Sequence, residues 1–434
     1  MYLLYSALLA VVLVLGSPYW LFAILRHGKY RRGLSQRFGA VPERFRNSTK
    51  PSIWIHAVSV GEVLAVSELV PALRGRFQEH RVVISTTTDT GQKLASTRFG
   101  AENVFYFPLD FVFAARRWIA ALRPSLIVIA ETEFWPNFLR VAHQSGARIA
   151  IVNARISDRS LPGYRRWRTI LTEVLSSVDI FLAQTPEDAG RLIEIGASAD
   201  SVTVGGNLKY DIPPPPAPPI VDQLRSALTA SSSGPVLVCG STVEGTPESE
   251  EGLLTAAFQS VLATHPAAVM LLAPRHPERF DGDSAELQQS KIKFFRRSQW
   301  HEEPLSGAVL LIDSIGELSS LYALADIAFV GGSLVPRGGH NIIEPAQHGV
   351  PVLVGPHTEN FRDIVELFLN RDAARVISPS ELSSAFLNLL GNERARLELG
   401  RRAAETLASQ RGATQLTLQK LQELLSQSHQ VKPA

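Results

Sequence analysis

The chain has 434 residues, which at about 150 residues per domain predicts two or three compact units. Hydrophobic residues at 45%, charged residues at 19% and a single cysteine exclude a disordered polymer and an internally disulfide-bonded scaffold. Lys and Arg number 43 against 41 Asp and Glu, so a net charge of +2 implies no general nucleic-acid-binding surface, and any basic patch must be local.

Residues 2 to 25 carry no charge, and about 20 apolar residues suffice to cross the hydrocarbon layer as a helix. Positive charge comes after this stretch, at Arg26, Lys29, Arg31, Arg32, Arg37, Arg44 and Arg46, rather than before it, which argues against a cleaved signal peptide and for an anchor with the rest of the chain in the cytoplasm. Pro18, Tyr19, Trp20 and Phe22 also suit a segment lying in the interface, so spanning and interfacial readings both stand. The expected division is a membrane anchor over 1–25, then a basic juxtamembrane segment over 26–50.

Beyond it, apolar runs at Ser52-Ile-Trp-Ile-His, Arg81-Val-Val-Ile-Ser, Ser125-Leu-Ile-Val-Ile-Ala, Arg148-Ile-Ala-Ile-Val and Ile180-Phe-Leu-Ala alternate with helical patterns. Continuous hydrophobic strands separated by helices predict a parallel sheet covered on both faces, a Rossmann-like α/β domain over 51–211. Six prolines in the seven positions from Pro213 then predict a stiff linker over 212–233. The alternation restarts at Pro235-Val-Leu-Val-Cys, Ala268-Val-Met-Leu-Leu, Val309-Leu-Leu-Ile, Ile327-Ala-Phe-Val and Pro351-Val-Leu-Val, giving a second such domain over 234–380, with C-terminal helices after it over 381–434. Cys239 reads as a core thiol. Two tandem α/β domains are expected to face a cleft, with ligands at the carboxyl ends of the strands.

Several residues at those strand ends could carry chemistry. The Ser59-Val-Gly-Glu turn puts Glu62 in the first turn of a helix, either as a general base or as a complement to the helix dipole. Ser59 suits an N-cap, and His56 on the apolar strand reads as a core histidine. Glu131 and Glu133 leave a buried strand, where an unpaired acid is costly; lining a cleft and opening a helix both remain open for them. Lys209 could reach an anion. In the second domain, Arg275 at a strand end suits a phosphate. The Gly316 turn before a helix offers free N–H groups, and the glycine pairs of Gly331-Gly-Ser-Leu-Val-Pro-Arg-Gly-Gly are expected to let amides close around an anion, with Glu344 suited to ribose hydroxyls. Neither a Walker phosphate loop nor C-x-x-C, H-E-x-x-H or G-x-S-x-G occurs. Together these features suggest transfer from a nucleotide-activated donor to a lipid acceptor.

The motifs HAVSVGE (56–62), ETEFWPN (131–137), NARIS (153–157), GNLKYD (206–211), APRHPERF (273–280), GGSLVPRGGHNIIEP (331–345) and GPHTENF (355–361) resemble the bacterial 3-deoxy-D-manno-octulosonic acid (Kdo) transferase family of lipopolysaccharide synthesis. The resemblance implies a two-domain GT-B glycosyltransferase that moves Kdo from CMP-Kdo to a lipid A precursor, lipid IVA, with inversion and with no metal or other cofactor. It implies a place on the cytoplasmic face of the inner membrane and no nucleic-acid partner. It makes Glu62 the general base and gives Glu131 and Lys209 to transition-state stabilisation. Pro274, Arg275, Gly316, Glu317, Leu318, Asn341, Ile342, Ile343 and Glu344 become the CMP contacts, Arg275 on phosphate and Glu344 on ribose. Val243 stands where the family usually carries His, leaving Ser241 and Thr242 as polar candidates nearby; His276, His340 and His357 lie in matching motifs without an assigned proton transfer. A UDP-sugar enzyme of the same architecture and an inactive nucleotide-binding scaffold are the alternatives. The retained charged residues count against the scaffold.

Overall fold

A computed structural model describes residues 1–27, 32–46, 48–246 and 248–430, the side chains of 18–27 and 427–430 excepted. The chain forms two compact units, Met1–Ile212 with Gln410–Ala434, and Pro213–Ser409.

The first unit is built on seven strands: β1 (Ser52–His56), β2 (Arg81–Thr86), β3 (Val104–Tyr106), β4 (Pro124–Ala130), β5 (Arg148–Ala154), β6 (Ile180–Ala183) and β7 (Val202–Val204). All pair in parallel, in the order β3-β2-β1-β4-β5-β6-β7. Alternation along each strand sends side chains to opposite faces. Ile53 and Ile55 enter one core with Ile84, Val128 and Val152, while Trp54 enters the other with Phe105, Trp118 and Ile127. Both faces are apolar because both are covered, as a parallel sheet requires. The order reverses between β1 and β4, so the loops leaving these two neighbours diverge and open a crevice at their carboxyl ends.

The second unit repeats the scheme with β8 (Val236–Thr242), β9 (Val269–Pro274), β10 (Phe294–Arg296), β11 (Val309–Leu311), β12 (Ile327–Val330), β13 (Val352–Val354) and β14 (Arg375–Val376). These are parallel in the order β10-β11-β9-β8-β12-β13-β14, reversing between β8 and β12. Cys239 on β8 is buried, and burial pushes its thiol well above the ordinary value.

Three boundaries differ from those read in the sequence. The segment over 26–50, read as juxtamembrane, joins the first unit in its second half: Val41 and Phe45 are buried in that unit's core, and Arg37, Arg44 and Arg46 donate to the carbonyls of Thr87, Val104 and Val41. The 212–233 stretch is linker only at its prolines, because the helix Pro219–Ala230 buries Ile220, Val221, Leu224 and Leu228 in the second unit. The C-terminal helices divide. Leu382–Leu390 and Glu393–Ala408 belong to the second unit, whereas Ala413–Gln430 returns to the first and buries Leu421, Leu424 and Leu425 there.

At the N-terminus the helix Tyr2–His27 forms. Tyr5 donates to Asp110 at 2.9 Å, Asn137 donates to the Ser6 hydroxyl at 3.0 Å, and the Arg140 guanidinium lies 4.1 Å from the centre of the Tyr2 ring. Leu3, Leu4, Leu8, Val11, Val12, Val14 and Leu15 are exposed. Among the described residues no helix is long and apolar enough to cross a membrane. The side chains of Pro18, Tyr19, Trp20, Phe22 and Arg26, and the residues Lys29 and Arg31, lie outside the described residues.

Candidate active site

In the first unit the chain leaves β1 at His56 and turns through Ala57–Ser59 into the helix Val60–Ala65. Glu62, in the first turn of that helix, is only 7% exposed. Its carboxylate accepts from the Val58 amide at 2.7 Å and from the Ser59 hydroxyl at 2.9 Å. Ser59 occupies the N-cap position, yet its hydroxyl goes to Glu62 rather than to a helix amide. Burial pushes Glu62 up from 4.5 to about 7, opposed by the Val58 amide and the Ser59 hydroxyl and reinforced by Glu131 and Glu133. A carboxylate balanced near neutrality is suited to take a proton at physiological pH. Glu62 thus sits at a helix start, where a carboxylate complements the dipole, and holds its proton more tightly than an exposed carboxylate.

Glu131 comes directly after β4, the neighbour of β1. Its backbone sits in the left-handed region at φ 59°, and its amide donates to the Val152 carbonyl at 2.9 Å. A non-glycine residue there is strained and must be held by its surroundings. Lys209 Nζ lies 3.1 Å from Glu131 Oε1, with the two side chains 29% and 31% exposed. Glu133 is raised by burial and by Glu131. Both acids lie in the loop before the helix Pro136–Gln144, so neither belongs to that helix's first turn.

Three side chains hold Lys209 in place. Asn153, itself at φ 55°, accepts from the Leu208 amide at 3.0 Å. Gln184 donates to the Asn153 carbonyl at 3.1 Å and accepts from Asn207 at 3.0 Å, and Asn207 in turn accepts from the Lys209 amide at 3.0 Å. Asn153 and Asn207 lie inside sequence motifs that give them no role, and Gln184 carries no signal in the sequence. His56 is buried, stacked on Phe107 at 3.8 Å and bonded through Nδ1 to the Ser85 hydroxyl at 3.0 Å. Burial lowers it to about 3, so it stays neutral and structural, as expected.

In the second unit Thr242 pairs with Pro274, and the next residue's amide, that of Arg275, donates to the Thr242 carbonyl at 2.9 Å. The Arg275 side chain is exposed. Its charge acts on both His340, lowered to about 4 chiefly by burial, and Glu344, raised by burial and lowered in part by Asn341 and Arg275. Asn341 accepts from the Ile343 amide at 3.1 Å and its amide nitrogen lies 3.4 Å from Glu344 Oε1. Asn341 and Glu344 are thus paired, and the Arg275 charge acts on Glu344. Ile342 and Ile343 are buried, so only their backbone could meet a ligand.

Gly316 adopts φ 90° and leads to a helix of only four residues, Leu318–Leu321. The Glu317 carboxylate is already engaged, 3.0 Å from Arg297 and bonded by the Ser314 hydroxyl. Leu318 and the Tyr322 hydroxyl crowd Gly240, where a Cβ would meet them at 2.7 and 2.4 Å.

The glycine-rich loop departs from expectation. The amides of Gly332, Ser333 and Leu334 do close around an anion, but that anion is the buried carboxylate of Glu250, a residue with no distinguishing mark in the sequence. Beside this loop a cavity of about 600 Å³ is lined by Val243, His276, Arg279, Arg337 and His340, among others. Val243 gives it an apolar wall. Arg279 bonds Asp283 at 2.7 Å and Glu244 at 3.1 Å, fixing the acidic side of the same cavity. Among the described residues no cluster of His, Cys, Asp and Glu is arranged to hold a metal ion.

The family described as 3-Deoxy-D-manno-octulosonic-acid transferase (kdotransferase) matches residues 32–212. A 3-deoxy-D-manno-octulosonic acid transferase of Bordetella pertussis is 36% identical over 94% of this chain and 95% of its own, and one of Haemophilus influenzae is 33% identical over 92% and 93%. Among solved structures, a UDP-GlcNAc 2-epimerase from Neisseria meningitidis bound to UDP-GlcNAc aligns with a TM-score of 0.57 over 86% of this chain and all of its own; at 11% identity that likeness concerns the fold, two parallel-sheet α/β domains as in GT-B glycosyltransferases. With such identity maintained over more than nine tenths of its length, the chain belongs to the 3-deoxy-D-manno-octulosonic acid transferase family and is a glycosyltransferase that transfers Kdo.

Proposed function

We propose that the protein transfers Kdo from CMP-Kdo to a hydroxyl of a lipid A precursor, lipid IVA, with inversion and with Glu62 as general base. The observation that carries this reading is the Glu62 carboxylate, buried at the switch point of the first sheet and poised near 7. In the reaction the acceptor oxygen bonds to the anomeric carbon as the bond from that carbon to the CMP phosphate breaks. The electron pair leaves with CMP, and the acceptor proton passes to Glu62. Lys209, held by Glu131, supplies a fixed cation for charge developing in the transition state. Arg275 meets the CMP phosphate and Glu344 the ribose, a reading supported by the Asn341–Glu344 contact and by the action of the Arg275 charge on Glu344.

A lipid acceptor requires the enzyme at a membrane surface. The exposed leucines and valines of the helix Tyr2–His27 support attachment to the cytoplasmic face of the inner membrane through that helix. Mass spectrometry of lipid IVA incubated with the full chain and freshly generated CMP-Kdo tests the reading. A product heavier by one or more Kdo units is expected; unchanged lipid together with consumption of a UDP-sugar would replace it.

A further inference from the structure

Glu250 opens the helix Glu250–Thr264 and has no exposed surface. Its carboxylate accepts four backbone hydrogen bonds: Oε2 from Gly332 at 2.6 Å and Val243 at 3.0 Å, Oε1 from Leu334 at 2.8 Å and Ser333 at 2.9 Å. Successive N–H groups turned toward one point form a concave anion site of the kind that usually binds phosphate. Here the fold fills it with its own carboxylate. The fit is tight: a Cβ on Gly331 would lie 2.6 Å from Thr242 Cα and 2.7 Å from both the Ser241 carbonyl oxygen and Glu250 Oε2, so the surrounding chain itself requires the glycine.

The filled site also orders the chain beyond it. The Ser333 hydroxyl accepts from the Gly355 amide at 2.8 Å, and the Ser333 carbonyl accepts from the His357 amide at 3.0 Å. The Gly339 amide donates to the Gly332 carbonyl at 2.7 Å, closing the loop directly before His340, and a Cβ on Gly332 would meet the His340 ring at 2.7 Å. The loop Gly331–Gly339 is therefore fixed from its amide side by Glu250, and the chain emerging from it carries His340, Asn341 and Glu344.

We propose that Glu250 is a positioning residue for donor binding: its carboxylate holds the Gly331–Leu334 amides so that Asn341 and Glu344 are presented to the nucleotide, and it denies those amides to the donor's phosphate. The proposal rests on the CMP-Kdo reading above. Phosphate recognition then falls to side chains, Arg275 first among them.

The test is CMP binding by calorimetry to wild type and Glu250→Gln, with steady-state kinetics in CMP-Kdo. The glutamine keeps the size but turns an NH2 toward two of the four amides, so CMP affinity should fall by about tenfold or more. KM for CMP-Kdo should rise in parallel while kcat changes by less than about threefold. If the glutamine variant does not fold, Glu250→Asp keeps the charge one methylene short, and its CMP affinity should fall by a smaller factor that is still measurable. CMP affinity equal to wild type in the folded variant, or a loss confined to kcat and to the amount of folded protein, would overturn the proposal. A wild-type protein that binds no CMP would overturn the donor reading itself, and this proposal with it.

Discussion

Lys209 and Glu131, 78 positions apart in the chain, meet at 3.1 Å beside the switch point of the first sheet. Glu131 reaches this position from a left-handed backbone conformation, and Lys209 is oriented through Asn207, Gln184 and Asn153. The strain at Glu131 is held by its amide bond to Val152 on β5 and by the Thr132 hydroxyl, which accepts from the Arg155 amide at 3.0 Å.

If the pair acts as one unit, Lys209→Ala and Glu131→Ala should each lower kcat by about 100-fold, and the double variant should lose little more than either single one. Steady-state kinetics of the three variants checks this. Fully additive losses would separate the two residues.

With Glu62 as the proposed base, the pH dependence of transfer should follow its titration. Its base form is populated above about 7, so kcat/KM should rise with pH and level off above that value. The Ser59 hydroxyl donates to the carboxylate and favours its charged form, so Ser59→Ala should move the rising limb to higher pH. A limb that stays in place or moves down would contradict the assignment.

The same group affects stability. Glu62 is raised from 4.5 in the unfolded chain to about 7 in the fold, so the folded state holds its proton more tightly. Its contribution is fully present below about 4.5 and is lost as pH rises through about 7. Glu62→Gln escapes that loss and should gain on wild type between pH 5 and pH 8, by up to about 3 kcal/mol. Urea unfolding at the two pH values measures it, and a difference that does not change with pH would contradict it.

For the second unit, Arg275→Ala should weaken CMP binding by about tenfold or more, with transfer reduced through KM. Equilibrium binding of CMP measures this directly, and an unchanged affinity would remove Arg275 from the phosphate role.

The central strands are legible in the sequence because a parallel strand buried on both faces reads as an unbroken apolar run, as Ile53–Ile55 and Ile127–Ile129 do. The edge strands β10 and β14 are not, since Phe294–Arg296 and Arg375–Val376 are short, carry an arginine and are not buried. Prolines locate the boundary between units but hide the helix behind them, although Ile220, Leu224 and Leu228 already fall on one helical face. Glu62 can be placed from its strand-turn-helix setting. Its proton affinity cannot, because it depends first on burial within the folded unit and then on groups such as Glu131, which arrives from β4. Glu250 is hidden for the same reason: three of its four amide partners lie 82 to 84 positions away, and nothing local distinguishes it from an ordinary first-turn acid.

The most direct test of this mechanism is Kdo transfer by Glu62→Gln, read by mass spectrometry of the lipid, with CMP affinity measured on the same preparation. Glu62 and the proposed CMP contacts belong to different units, so transfer should fall by at least about 1,000-fold while CMP affinity stays within about twofold. Transfer at a rate near that of wild type would contradict the assignment of Glu62 as the base.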